Sequence, residues 1–264
     1  MPIIQTNTGY GYVYRKGDKK QKKLSPFLKF IFTIFIIAVL LVGGIYLARI
    51  IPNYIGIKTN YYFNKTNIYT INCGSFDDYE TALILAETVK KQGGAGYVFF
   101  SNKKYNVLLS GYAKKDECLS VIDNLSQNGV EATMLCIELK EMSANFSATN
   151  EEKVQIKNAI NTFFDCYKSL YSLSIEFDKD ILTKSEVLDE INKLSSKVNT
   201  QKNAFTTKTD ANTNASLVYL KIYLDKLSDY LKTLSSCKEN FSAEIKNTYF
   251  QSLMCYCDFR QEIS

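Results

Sequence analysis

Two pairs of adjacent carboxylates, Asp77-Asp78 and Glu151-Glu152, stand where acid–base chemistry would be sought first. Such chemistry needs one carboxyl kept protonated near neutral pH beside another that stays ionised. Each pair opens a segment of helical periodicity, where carboxylates complement the helix dipole and accept from free N–H groups. Capping is the expected role. Cys255-x-Cys257 places two thiols close together, but no CxxC pair and no histidine completes a tetrahedral metal site. Histidine is absent from the whole chain, which removes Ser-His-Asp and Cys-His catalysis and nearly all zinc-hydrolase sites. No GxSxG, Walker or GxGxxG sequence occurs. The chain is expected to be non-catalytic, with no metal and no cofactor.

The elements around these residues begin with a local charge excess. Residues 1–29 carry Arg15, Lys16, Lys19, Lys20, Lys22, Lys23 and Lys29 against Asp18 alone, whereas the whole chain is +5. Everything after residue 29 is therefore close to neutral and has no electrostatic footprint for nucleic acid. Residues 30–48 (FIFTIFIIAVLLVGGIYLA) contain no charge. At 1.5 Å per residue they span roughly 28 Å, close to the hydrocarbon core of a bilayer. The run is long for a signal peptide and ends in Tyr46-Leu47-Ala48-Arg49, which favours an uncleaved transmembrane helix. The cations before it orient a basic cytoplasmic tail inward and the rest of the chain outward, making a single-pass cell-membrane protein. All seven cysteines lie on the outer side, as unpaired space-fillers or with one bridge such as Cys73–Cys136.

Residues 49–66 read as a connector, with Pro52 and Gly56 disfavouring continued helix. From 67 to 139 the periodicity alternates. Ile68 to Cys73 is a strand; Asp77 to Gln92 is a helix with Ala82, Leu85, Ala86 and Val89 on one face; Tyr97–Phe100 and Tyr105–Ser110 are strands joined by a hairpin at 101–104. Lys114 to Asn128 is a second helix and Val130 to Leu139 a last strand. This β-α-β-β-α-β order predicts a ferredoxin-like α+β domain with two helices on one sheet face and the other face open to a ligand.

In that setting Ile71-Asn72-Cys73-Gly74-Ser75-Phe76 resembles the Val-Gln-x-Gly-Ser-Phe end of the first strand in the SPOR domain family, peptidoglycan-binding modules of bacterial division and sporulation proteins. Tyr105-Asn106-Val107-Leu108-Leu109-Ser110-Gly111 is similar to that family's glycine-terminated third strand. The resemblance covers residues 66–139, and the order of basic tail, span and outer domain is also similar to that of a stage II sporulation protein. It implies binding to peptidoglycan glycan strands stripped of peptide and location at a division or sporulation septum. Two departures stand out: Asn72 replaces the family's glutamine, and Val107 stands where an arginine or other polar residue is common. The rival expectation is a protein-interaction scaffold whose SPOR-like domain no longer binds glycan.

Alternation directs Thr70 and Asn72 to one sheet face and Ile71 and Cys73 to the other. Tyr105, Val107 and Leu109 share a face, with Met134 a neighbour on the last strand. Amide, hydroxyl and aromatic groups suit the hydroxyl edge and C–H face of a sugar. The expected glycan contacts are Asn72, Ser75, Tyr105, Val107 and Met134. Helix capping by Ser75 and plain packing by Tyr105 remain alternative roles.

Residues 148–264 read as helical throughout. Ile156-Ile160-Phe163-Tyr167-Leu170, Val187-Ile191-Leu194-Val198, Leu217 to Leu234 and Phe241-Ile245-Tyr249-Leu253 each trace a stripe. Thr149 to Glu152 and Thr183 to Glu186 are capping-box starts, and 206–214 is a polar loop. The pattern predicts an independently folded helical bundle. Its surplus rings at Phe163, Phe164, Tyr167, Tyr171, Tyr249 and Phe250 either face a division or sporulation protein partner or wedge between helices.

Overall fold

The computed structural model describes residues 57–209 and 215–264. The basic tail, the transmembrane segment at 30–48 and the first part of the connector lie outside the described residues. Among the described residues no helix is long and apolar enough to cross a membrane. The protein is α+β, with two antiparallel sheets and six helices among the described residues. The strands are β1 (Ile57–Phe63), β2 (Thr66–Phe76), β3 (Tyr97–Ser101), β4 (Lys104–Tyr112), β5 (Thr133–Leu139) and β6 (Met142–Ala148). The helices are α1 (Tyr79–Lys91), α2 (Lys115–Gln127), α3 (Asn150–Asp178), α4 (Lys184–Lys208), α5 (Ala215–Ser235) and α6 (Phe241–Glu262).

The main sheet runs β3-β4-β2-β5, all neighbours antiparallel. Asn102 and Lys103 both adopt left-handed backbone, φ 51° and 62°, which is what a two-residue hairpin between β3 and β4 requires. Between β2 and β4 the register slips twice, leaving Leu109 and Cys73 as extra residues. Such bulges change which face a strand's side chains meet. Before the slips, Val98, Tyr105 and Val107 face α1 and pack on Ala82, Ala86 and Val89. Beyond them, Gly111 meets the far side of the sheet.

Residues 57–63 are a strand rather than part of a connector. β1 pairs antiparallel with β6, from Ile57 opposite Ala148 to Phe63 opposite Met142. This second sheet carries the chain straight into α3. Thr149 caps α3, with the Glu152 side chain accepting from its N–H at 2.8 Å, and Thr183 caps α4 in the same reciprocal way. The four stripes bury as expected, with Ile160, Phe163, Ile191, Val198, Leu224 and Leu253 all in one core. Residues 206–208, expected in the polar loop, belong to α4, which continues to Lys208, and 210–214 lie outside the described residues.

Two expectations are corrected. The helical region is not an independent core. Ile68, Leu108, Ile137 and Phe146 from the sheets share a single cluster with Phe163, Leu253 and Phe259. The second face of the main sheet is also not open, because α6 lies on it. Tyr97 stacks on Phe250 at 5.5 Å between ring centroids, and Asn247 donates to the Ala95 carbonyl at 3.0 Å. A Cβ on Gly111 would lie 2.8 Å from the Tyr249 ring, so glycine lets helix and strand approach. Lys246, itself buried, donates to the Gly93 carbonyl at 2.8 Å and pairs with Asp178 at 2.6 Å. Arg260 is buried over the rings of Phe63 and Tyr256 and donates to the carbonyls of Asn64 and Lys140. The physical reason is that α6 is apolar on more than its bundle stripe. Phe250, Met254 and Ala243 lie off that stripe and are buried too. A helix buried on nearly every side sits between layers rather than at their surface.

Candidate functional site

Gly74, Ser75 and Phe76 are the last three residues of β2, just past its bulge, and Asp77 and Asp78 bend the chain into α1. Asp78, not Ser75, caps α1: its carboxylate accepts from the Thr81 N–H and hydroxyl, both at 2.8 Å. Those bonds hold the Asp78 carboxyl below the usual carboxylate range. Gly74 is closely approached: a Cβ there would stand 2.8 Å from Leu85 and 2.9 Å from the Phe76 ring, so those side chains would have to shift.

With capping done by Asp78, the Ser75 hydroxyl is free for another partner. It donates to Asn106 Oδ1 at 2.7 Å, while Asn72 Nδ2 donates to Ser75 Oγ at 2.9 Å and to Asn106 Oδ1 at 3.4 Å. The Gly74 N–H donates back to Asn72 Oδ1 at 3.3 Å. Asn106 is anchored through Nδ2, which donates to the carbonyls of Phe99 and Lys104 and to the Ser101 hydroxyl. Asn72 and Asn106 are buried, whereas Ser75 is exposed. The result is a rigid polar cluster with one hydroxyl at the surface.

Asn72 and Ser75 of this cluster form one wall of a groove of about 560 Å³ between the β2 bulge and the C-terminal half of α2. Asp123 and Ser126 come from α2, Glu131 from the segment leading into β5, and Thr133 from the first position of β5. Cys73 also lines it, and burial pushes its thiol up from its ordinary range. A protonated thiol is a weak nucleophile and ligand. Chemically the groove offers hydroxyls, amides and two carboxylates to a neutral, hydroxyl-rich ligand. Among the described residues no group of three or more cysteine, aspartate or glutamate side chains is placed to hold a metal ion.

The five expected contacts do not form one surface. Asn72 and Ser75 come together. Val107 is fully buried beneath α1, so the expectation that it reaches a ligand on the open face is corrected: its strand face is the one that α1 covers. Tyr105 shares that face and packs on Tyr79 and Phe100, with ring centroids 5.4 and 4.8 Å apart. Met134 stands opposite Ile71 in the ladder, whereas Asn72 stands opposite Thr133, so Met134 and Asn72 point to opposite faces. Sequence reasoning missed Asn106, whose signal was a lone amide inside the apolar run Tyr105 to Leu109. It also missed the α2 side of the groove, which no local pattern announces.

The cysteine alternatives also resolve. All seven are free thiols. Cys136 lies opposite Tyr69, so Cys73 is four residues further along β2, roughly 13 Å away and beyond bridging reach. The surplus rings are used internally: Phe163, Tyr167, Tyr249 and Phe250 are buried, and Phe164 and Tyr171 half-buried.

No protein-family model matches the chain, and no curated protein matches it. Among solved structures it is similar to the solution structure of the peptidoglycan binding domain of the B. subtilis cell wall lytic enzyme CwlC. The likeness is weak, at 19% identity and a TM-score of 0.24, over 27% of this chain and 91% of that one.

Proposed function

We propose that this is a non-catalytic, single-pass membrane protein whose β2–β5 module is a SPOR-type, ferredoxin-like domain that binds peptide-poor peptidoglycan glycan strands. The observation that carries the reading is the Asn72–Ser75–Asn106 cluster at the Gly-Ser-Phe end of β2, opening on a polar groove. The strand order β3-β4-β2-β5 supports the fold assignment. Ser75 would contact a sugar hydroxyl, with Asn72 and Asn106 positioning it. The basic segment at 1–29 and the apolar run at 30–48 support an anchor with the N-terminus in the cytoplasm and the remainder outside. On this reading the module holds the protein at division or sporulation septa.

The test is co-sedimentation of the full chain, in detergent, with cell wall treated to remove stem peptides and with untreated wall. The chain should be retained more strongly by peptide-free glycan, and Ser75→Ala should weaken that retention. Retention no better than that of an unrelated detergent-solubilised protein would sink the reading.

A specific observation also favours a second reading. Since α6 occupies the sheet face that a ligand was expected to use, the module can serve as part of a protein-interaction scaffold. Septal location that survives Ser75→Ala, in a variant that folds normally, would support that scaffold.

A further inference from the structure

Opposite the polar cluster, on the α1 side of the same strand ends, three rings gather at the surface. Tyr105 is flanked by Tyr79 at 5.4 Å and Phe100 at 4.8 Å, in tilted and edge-on arrangements. Phe100 is 59% exposed and Tyr79 46% exposed. Phe100 and Tyr105 are directly paired in the β3–β4 ladder, and Tyr105 is paired with Phe76 in β2. The rings are therefore held by sheet geometry and by the first residue of α1, not by a loose loop. An ion pair between Lys104 and Asp77, at 3.4 Å, closes the strand ends beside them.

Three features narrow what these rings take. The patch is three side chains, against the roughly 20–30 residues a side of a stable protein interface. Polar groups border it, which suits a ligand with an apolar face and hydroxylated edges. It also lies just across the strand ends from the groove: Ser75 and Asn106 are chain neighbours of Phe76 and Tyr105, and Ser75 donates to Asn106 at 2.7 Å. Hexopyranose rings present C–H faces that pack on aromatic rings, and the ring spacing here is comparable to that of successive units in a linked sugar chain. We infer that Tyr79, Phe100 and Tyr105 form a saccharide-stacking platform that extends the Ser75 groove, so that one glycan strand wraps the end of the sheet and touches both of its faces.

The inference rests on the glycan-binding reading, and its test separates the two. The chain contains no tryptophan, so Phe100→Trp introduces a single indole reporter at the platform. Peptide-free glycan oligosaccharides added to the full-length variant should change its emission saturably. Because both residues are exposed, the Tyr79→Ala, Phe100→Ala double variant should keep the wild-type melting temperature and lose about tenfold in retention on peptide-free wall. Wild-type retention by the double variant, together with unchanged indole emission while Ser75→Ala weakens binding, overturns the platform and spares the groove. Absence of glycan binding by the wild-type chain overturns both. Loss of a protein partner from the double variant with glycan retention intact also overturns the platform.

Discussion

One face of the main sheet is closed by a helix next to it in sequence, the other by a helix about 150 residues away. The near cover, α1, packs small side chains, Ala82, Ala86 and Val89, on Val107. The distant cover, α6, packs rings and buried polar groups, including Phe250 on Tyr97 and Lys246 on the Gly93 carbonyl. Both remove apolar sheet surface from water, but only the second joins two regions that each look self-sufficient in sequence. With both broad faces taken, the exposed chemistry is at the strand ends, around Ser75 on one side and Phe100 on the other.

That contrast can be broken most forcefully at Phe250. It is fully buried and stacked on Tyr97, so Phe250→Ala should cost ~3–5 kcal/mol. Thermal unfolding should show one transition, lowered as a whole, because sheet and bundle share a core. Two separated transitions would mean that the distant cover is dispensable. Lys246→Ala comes next. It removes the charge-assisted contacts to Asp178, Ser242 and Gly93, and should cost ~2–3 kcal/mol in a urea titration. Gly111→Ala sharpens the comparison by overpacking: the new methyl meets the Tyr249 ring, for ~1–2 kcal/mol in the same titration.

The smallest effect is on the near cover and depends on pH. Asp78 caps α1 with a carboxyl held below its ordinary range by the Thr81 N–H and hydroxyl. A depressed folded value means the cap's stabilisation is present above the ordinary carboxylate pKa of about 3.9 and is lost as pH falls through the lower folded value. Amide exchange in the first turn of α1 should quicken, beyond the intrinsic change, on acidification to about pH 3, while exchange around Leu108 under α6 does not.

Much of the fold is legible in local pattern. Alternation in Ile68 to Cys73, the apolar face of Ala82 to Val89 and the Thr149 and Thr183 capping boxes all report on neighbours within a few residues, and they hold. What pattern could not show is pairing at a distance. β1 is short and tyrosine-rich, and only its ladder with β6, some eighty residues on, makes it a strand. The second buried side of α6 mixes Ala243, Lys246, Asn247 and Phe250, which gives no clean stripe to read. Val107 was misplaced for the same reason: alternation shows that Tyr105, Val107 and Leu109 share a face but not which face α1 will cover. Of the site, the Gly-Ser-Phe end of β2, with Ser75 in it, is visible as a motif. Asn106 and the α2 wall become partners only through register and packing.

The most direct test is amide hydrogen exchange on the full chain with and without peptide-free glycan strands. Exchange should slow at Gly74, Ser75 and Thr133 and through the Phe100 hairpin, with residues 243–256 of α6 unchanged. Faster exchange along α6 on adding glycan would mean that the ligand displaces the helix and takes the sheet face, contradicting binding at the strand ends. No change anywhere would contradict glycan recognition itself.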